Sequence, residues 1–238
     1  HVRSRRQRQM CIRDRDSPMI LGVANGESYI GSDVPAILKY TRDVYYIGNQ
    51  EMARVRKGEI TFYNLDGEEI EKELKTVEWD AEAAEKSGYE HFMIKEIHEQ
   101  PKAVSDTLNS VIKDGMIDLS EVGLSEEEIK EISQIYIVAC GSAYHVGVAA
   151  QYVMEDLARI PVRVELASEF RYRNPILDPK GLVVIISQSG ETADSLAALR
   201  ESKKQGVKTL GIVNVIGSSI AREADNVYYT LAGPEIAV

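Results

Sequence analysis

Six consecutive residues, Ser187-Gln188-Ser189-Gly190-Glu191-Thr192, set three hydroxyls and a glycine within one loop and the turn of chain that follows it. Hydroxyls at that spacing can all reach the oxygens of one phosphate. A hydrogen bond to a charged group contributes about 1.5 to 3 kcal/mol, so three give useful selectivity without a Lys or Arg. Two further segments carry the same signature: Cys140-Gly141-Ser142-Ala143, and Asn214-Val215-Ile216-Gly217-Ser218-Ser219. Glycine lets the backbone approach a ligand closely, and the N-terminus of a following helix favours an anion. Taken alone, Ser-x-Ser-Gly serves equally as a strand-end turn and a helix cap. Its recurrence in three loops favours the ligand. Glu191 would repel a phosphate, so its carboxylate is expected to face a helix N-terminus or solvent.

Other reactive side chains carry less. Cys140 ends an apolar run, with His145 the one suitably spaced histidine, and reads as a buried thiol rather than a nucleophile. His91 and His98 lack a Cys, Asp or Glu set that would complete a metal site. No metal, cofactor or catalytic residue is assigned.

The elements that must position these loops follow from periodicity. From Gln134 onward strands and helices alternate: strands over 135–139, 162–166, 182–186, 209–213 and 227–231, helices over 143–158 and 192–205. Such alternation implies an α/β fold with a doubly wound parallel sheet, and runs like Leu182-Val183-Val184-Ile185-Ile186 suit strands buried on both faces. In an open parallel sheet the ligand sits at the carboxyl ends of the strands. All three loops fall there.

Upstream, Pro18 to Lys75 reads as sheet, with short strands at Met19–Val23, Glu27–Gly31 and Asp43–Ile47. An alternating run, Gly58–Leu65, precedes an Asp66-Gly67 turn and Glu68-Glu69-Ile70. From Trp79 to Gly123 the pattern is helical. Asp80 can cap a helix over Ala81–Ser87 that stops at Gly88, and Val104, Leu108, Val111 and Ile112 form a stripe. Ser125-Glu126-Glu127-Glu128 is a capping box opening a helix that ends near Ser133.

Composition narrows the partners. A net charge of −10 over 238 residues disfavours nucleic acid and anionic membrane, and no apolar run approaches the ~20 residues of a membrane-spanning helix. Two cysteines, Cys11 and Cys140, make no disulfide scaffold. The first sixteen residues hold six Arg and two Asp without periodicity or an apolar core. They read as adaptor-like, non-native sequence rather than a basic nucleic-acid arm, and are excluded from the fold.

The loop motif Ser187–Asp194 and Val138-Ala139-Cys140-Gly141 resemble the sugar isomerase domain of the glutamine–fructose-6-phosphate aminotransferase (isomerizing) family. The flanks 167–173, 214–219 and 232–236 agree in order and spacing. Gly26–Asp33 looks like the closing part of that family's glutaminase domain, and Phe92–Pro101 like its interdomain helix. Beyond the adaptor-like residues 1–16, the resemblance implies a β-rich C-terminal remnant of an Ntn-type glutaminase over 17–75. A helical linker over 76–125 and a first SIS (sugar isomerase) domain over 126–238 follow.

The family uses glutamine-derived ammonia to convert open-chain fructose 6-phosphate, through an imine and a C1/C2 proton shift, into glucosamine 6-phosphate, opening amino-sugar biosynthesis. Carried over by motif, Ser187, Gln188, Ser189 and Thr192 would bind the phosphate, with Cys140, Gly141 and Ser142 beside the sugar and Val238 at the edge of the site. The acid/base Lys, Glu and His of the second isomerase half would lie beyond Val238. The chain is therefore expected to be an internal fragment that binds weakly and catalyses nothing. A homodimer and a cytoplasmic location are likewise implied by the resemblance.

Two departures stand out: Ser142-Ala143 replaces the family's usual Thr-Ser, and Ala237 a usual Gly. Met10-Cys11 imitates the family's initiator and nucleophile, but Ile12-Arg13 follows and too few residues separate it from Gly26, so it is rejected as catalytic. Two alternatives are a non-catalytic phosphosugar-sensing domain and a stand-alone phosphosugar isomerase. The glutaminase-like sheet upstream disfavours both.

Overall fold

The computed structural model describes residues 9–13, 19–32, 35–38, 40–48, 50–77 and 86–237. The helix expected over Ala81–Ser87 falls largely outside the described residues, as does Val238. Two compact units are present: one of residues up to Ile97 together with Pro234 onward, the other His98–Gly233.

The first unit holds two antiparallel sheets. β1 (Gln9–Arg13), β2 (Ile20–Ala24), β3 (Glu27–Gly31), the short helix α1 (Pro35–Leu38), β4 (Asp43–Tyr46), β5 (Glu51–Arg56), β6 (Glu59–Tyr63), β7 (Glu69–Ile70) and β8 (Lys75–Thr76) follow in order. One sheet is ordered β3-β2-β4-β8 and the other β1-β5-β6-β7. Leu21 and Ile47 from the first side and Ala53, Val55 and Phe62 from the second share one buried cluster.

Two differences from the sequence reading appear here. β5 was not anticipated, because Met52-Ala53-Arg54-Val55-Arg56 alternates apolar with arginine and lacks a strong apolar run. Gln9–Arg13, left out of the fold above, pairs antiparallel with Glu51–Val55. Such pairing rests on backbone groups of an otherwise free strand edge and needs no side-chain period.

Within the second unit the Asp66-Gly67 kind of turn chemistry recurs. α2 (Phe92–Asn109), whose residues up to Ile97 belong to the first unit, ends before Val111, and β9 (Ile112–Lys113) and β10 (Met116–Ile117) form a hairpin about Asp114-Gly115. The expected helical stripe therefore stops at Leu108, since Asp-Gly is a stronger signal for a two-residue hairpin than two apolar residues are for another helical turn. A 3-10 turn (Ser120–Val122) and α3 (Glu126–Glu131) follow, the latter with the anticipated capping box: Ser125 Oγ accepts from Glu128 N and Glu128 Oε2 from Ser125 N.

The parallel sheet is then laid down by β11 (Gln134–Ala139), α4 (Gly141–Ala158), β12 (Val162–Leu166), α5 (Ala167–Tyr172), β13 (Gly181–Ser187), α6 (Ala193–Lys204), β14 (Lys208–Val213), α7 (Ser219–Glu223) and β15 (Asn226–Tyr229). Its order is β12-β11-β13-β14-β15, with every neighbouring pair parallel. Alternate residues point to opposite faces. Ile135, Ile137, Leu182 and Val184 bury against Ala150 and Met154 of α4. Tyr136, Val138, Val183 and Ile185 bury against Phe170 of α5, Leu196 and Leu199 of α6 and Ile220 of α7. α4 lies close on its face because Gly147 has no side chain; a Cβ there would stand 2.8 Å from Ile137 Cγ2. The six- and five-residue helices α5 and α7 were not anticipated, being too short to show a period.

Candidate functional site

The chain runs from β11 to β12 on one side and returns to β13 on the other, so the order reverses between β11 and β13. The carboxyl ends of these two strands form the crevice where such sheets take ligands. The loops that leave them are Cys140–Ser142 and Ser187–Thr192, which carry every predicted site residue except Val238.

The β13 loop is folded on its own hydroxyls. Ser187 Oγ and Thr192 Oγ1 lie 2.9 Å apart, and the Gly190 N–H donates to Ser187 Oγ over 3.1 Å. Two hydroxyls that face each other share one proton between them, which leaves the second for a ligand. Ser189 Oγ accepts the Glu191 N–H at 3.2 Å, so its own O–H is also available as a donor. Ser187 is only 4% exposed, Ser189 and Thr192 are half-buried and Gln188 is exposed. The loop thus presents Gln188, Ser189 and Thr192 outward over a buried Ser187. Thr192 is the N-cap of α6, whose first-turn N–H groups have no acceptor within the helix and point to the same place.

Across the crevice Gly141 and Ser142 open α4 and are exposed, with nothing within 4 Å of the position of a Gly141 Cβ. That space admits a ligand beside the main chain. Cys140 is half-buried, and its Sγ accepts a 3.8 Å hydrogen bond from Ser195, a fully buried residue of α6. The thiol therefore links the two loops' helices. His145 is engaged edge-on with the Tyr144 ring at 5.3 Å.

Two carboxylates flank the loop, and each has a partner. Asp194, in the first turn of α6, receives Arg171 Nη1 of α5 at 3.1 Å. Glu191 Oε1 accepts the Ser219 N–H at 2.7 Å, so it faces a helix N-terminus as its position required. Neither partner was identified from sequence, because both come from helices too short to be recognised.

The third loop, after β14, behaves differently. Ser218 and Ser219 are 1% and 2% exposed, and Asn214 is spent on its own chain, donating to Gly233 O at 2.7 Å and accepting from Ala232 N at 3.0 Å. Its hydroxyls do not face the crevice. In the other unit, the segment leading to Val238 is anchored by Glu96 Oε1, which accepts Ile236 N at 2.8 Å and Ala237 N at 2.9 Å.

Sheet order, switch point and the Ser-x-Ser-Gly loop together define a sugar isomerase, or SIS, domain, and residues 128–238 match the SIS domain family. Two relatives are each 56% identical to the chain over 225 residues, 94% of its length: the glutamine–fructose-6-phosphate aminotransferases (isomerizing) of Caldanaerobacter subterraneus subsp. tengcongensis and of Clostridium acetobutylicum. The solved C-terminal domain of glucosamine-fructose-6-phosphate aminotransferase from Francisella tularensis matches with a TM-score of 0.61 and 48% identity, covering 64% of this chain and 43% of that one. The chain belongs to the glutamine–fructose-6-phosphate aminotransferase (isomerizing) family. It spans 37% of the length of those two relatives.

Proposed function

We propose that the chain supplies the phosphosugar-binding half-site of an enzyme that converts fructose 6-phosphate and glutamine to glucosamine 6-phosphate and glutamate. Ser187, Gln188, Ser189 and Thr192 hold the phosphate, while Cys140, Gly141 and Ser142 flank the sugar. Val238 is added by resemblance alone. The observation that carries the reading is the Ser187–Thr192 hydroxyl pair at 2.9 Å beneath a free Ser189 hydroxyl, at the switch point and at the head of α6.

Such a loop binds the phosphate by hydrogen bonds and dipole rather than by a cation, and fixes one end of the substrate so that its C1 and C2 are held at a defined distance. No acid/base group of the proton shift is assigned to this chain. The reading carries further proposals with it: residues 17–75 as the closing part of a glutaminase domain, 76–125 as a linker and 126–238 as the first of two isomerase domains. A homodimer in the cytoplasm, with no nucleic acid or membrane partner, belongs to the same reading. Relatives that align over 94% of the chain, well upstream of residue 128, support the domain order. Among the described residues, no helix is long and apolar enough to cross a membrane.

Calorimetric titration with fructose 6-phosphate, glucosamine 6-phosphate and inorganic phosphate tests the site. The expected result is binding that perturbs the 187–192 amides in heteronuclear NMR and weakens about tenfold or more in Ser187→Ala and Thr192→Ala. A folded protein that binds none of the three at millimolar concentration would overturn it.

A further inference from the structure

A carboxylate in a phosphate-binding loop opposes the ligand's charge, so Glu191 needs another reason to be there. Its surroundings supply one. The β13 loop is tied along one side to the β14–α7 segment by three hydrogen bonds: Asn214 N to Gln188 O at 3.0 Å, Ile220 N to Gly190 O at 3.0 Å, and Ser219 N to Glu191 Oε1 at 2.7 Å. The first two join main chain to main chain and do not depend on side-chain identity. The third exists only because residue 191 carries an acceptor of the right length.

The donor is a first-turn N–H of α7, which has no acceptor within its own helix. Ser219 is 2% exposed and its neighbour Ile220 is fully buried in the core, so α7 is a fixed platform and water has little access to that N–H. Beside it, Gly190 takes φ +64° with the Ser218 hydroxyl 2.0 Å from where a Cβ would sit, which leaves the loop no slack on this side. Losing the Glu191 acceptor would leave a buried donor unpaired, and the loop would move or open to satisfy it. A displacement of the order of 1 Å is enough to misalign hydroxyls aimed at one phosphate.

We propose that Glu191 is a positioning residue of the phosphate loop: by accepting the Ser219 N–H it locks the loop in the form that presents the Ser187, Ser189 and Thr192 hydroxyls. This rests on the phosphosugar reading above. It also means that the third glycine and hydroxyl segment acts as a buttress for the second.

The test is a double-mutant cycle read by calorimetric titration of fructose 6-phosphate, at a temperature where each variant's unfolding curve shows it folded. Glu191→Ala should weaken binding about tenfold. Glu191→Gln, whose amide oxygen accepts the same N–H, should restore affinity to within about threefold of the parent. Ser219→Pro removes the donor itself at the first helical position, where proline is well tolerated. It should reproduce the Glu191→Ala loss and stand in for it if that variant does not fold. The double variant should lose no more than either single change. Equal affinity in Glu191→Ala and the parent, or additive losses in the double variant, would overturn the positioning role while leaving the site intact. Failure of the parent itself to bind would instead overturn the phosphosugar reading.

Discussion

The loop after β13 and the loop after β14 are built from the same residue types, with Ser187, Ser189 and Gly190 in one and Gly217, Ser218 and Ser219 in the other. They leave neighbouring parallel strands in the same direction. The first lies at the switch point, where the chain parts to either side and the sheet top stays uncovered. The second lies one strand further out, is closed over by the chain leading into α7, and buries both of its serines. Composition therefore marks both loops as places where the backbone must turn tightly, while position in the sheet decides which of them keeps its hydroxyls at the surface of the crevice and which buries them.

The glycines offer the sharpest break of this comparison. Gly190 and Gly217 both hold positive φ, +64° and +73°, but a Cβ at Gly190 would collide with Ser218 whereas one at Gly217 would meet nothing within 4 Å. Gly190→Ala should cost about 3 kcal/mol, from backbone conformation plus overpacking, and Gly217→Ala about 1 kcal/mol from backbone conformation alone. Urea denaturation of the two variants measures the difference; equal losses would mean that the loops are not packed against each other as described.

Hydroxyl deletions come next. Thr192→Ala should weaken fructose 6-phosphate binding about tenfold. Ser218→Ala should leave binding unchanged and be neutral to slightly stabilising in urea, because the Ser218 hydroxyl is buried without a partner among the described residues. Weakened binding in Ser218→Ala at unchanged stability would move the β14 loop into the site.

The smallest effect is a pH dependence at Asp225, which lies between α7 and β15. Burial alone would raise the Asp225 carboxyl, but hydrogen bonds from Lys203 at 2.7 Å and from the hydroxyl and N–H of Thr209 at 2.7 and 3.0 Å outweigh it and hold it below the ordinary carboxylate range. A depressed folded-state value means that the group's stabilisation is complete above the unfolded pKa of about 4 and is lost as pH falls through the folded value. Asp225→Asn should therefore be less stable than the parent near neutrality, with the gap narrowing below about pH 4. Chemical denaturation across that range checks it, and a gap that stays constant would exclude the linkage.

Much of the parallel sheet was legible because its strands are continuous apolar runs. Val162–Leu166 has the limits expected of it, and β13 extends the expected strand by one residue at each end. The Ser125 capping box was equally plain, since both of its bonds are local. What escaped was either short or relational. β5 mixes arginine into its alternation, α5 and α7 span fewer than two turns, and the end of α2 was decided by an Asp-Gly hairpin that competed with a helical stripe.

By itself the sequence determined the α/β class, the strand-end location of three glycine and hydroxyl loops, and the grouping of three hydroxyls within six residues, because each of these follows from periodicity or from functional groups within a few residues. Only the tertiary structure decided that two of the loops meet at the switch point while the third supports one of them. It alone placed the Glu191 carboxylate on the Ser219 N–H, 28 residues away. Contacts between residues so separated are set by how helices pack on the sheet, and no local pattern of residues encodes them.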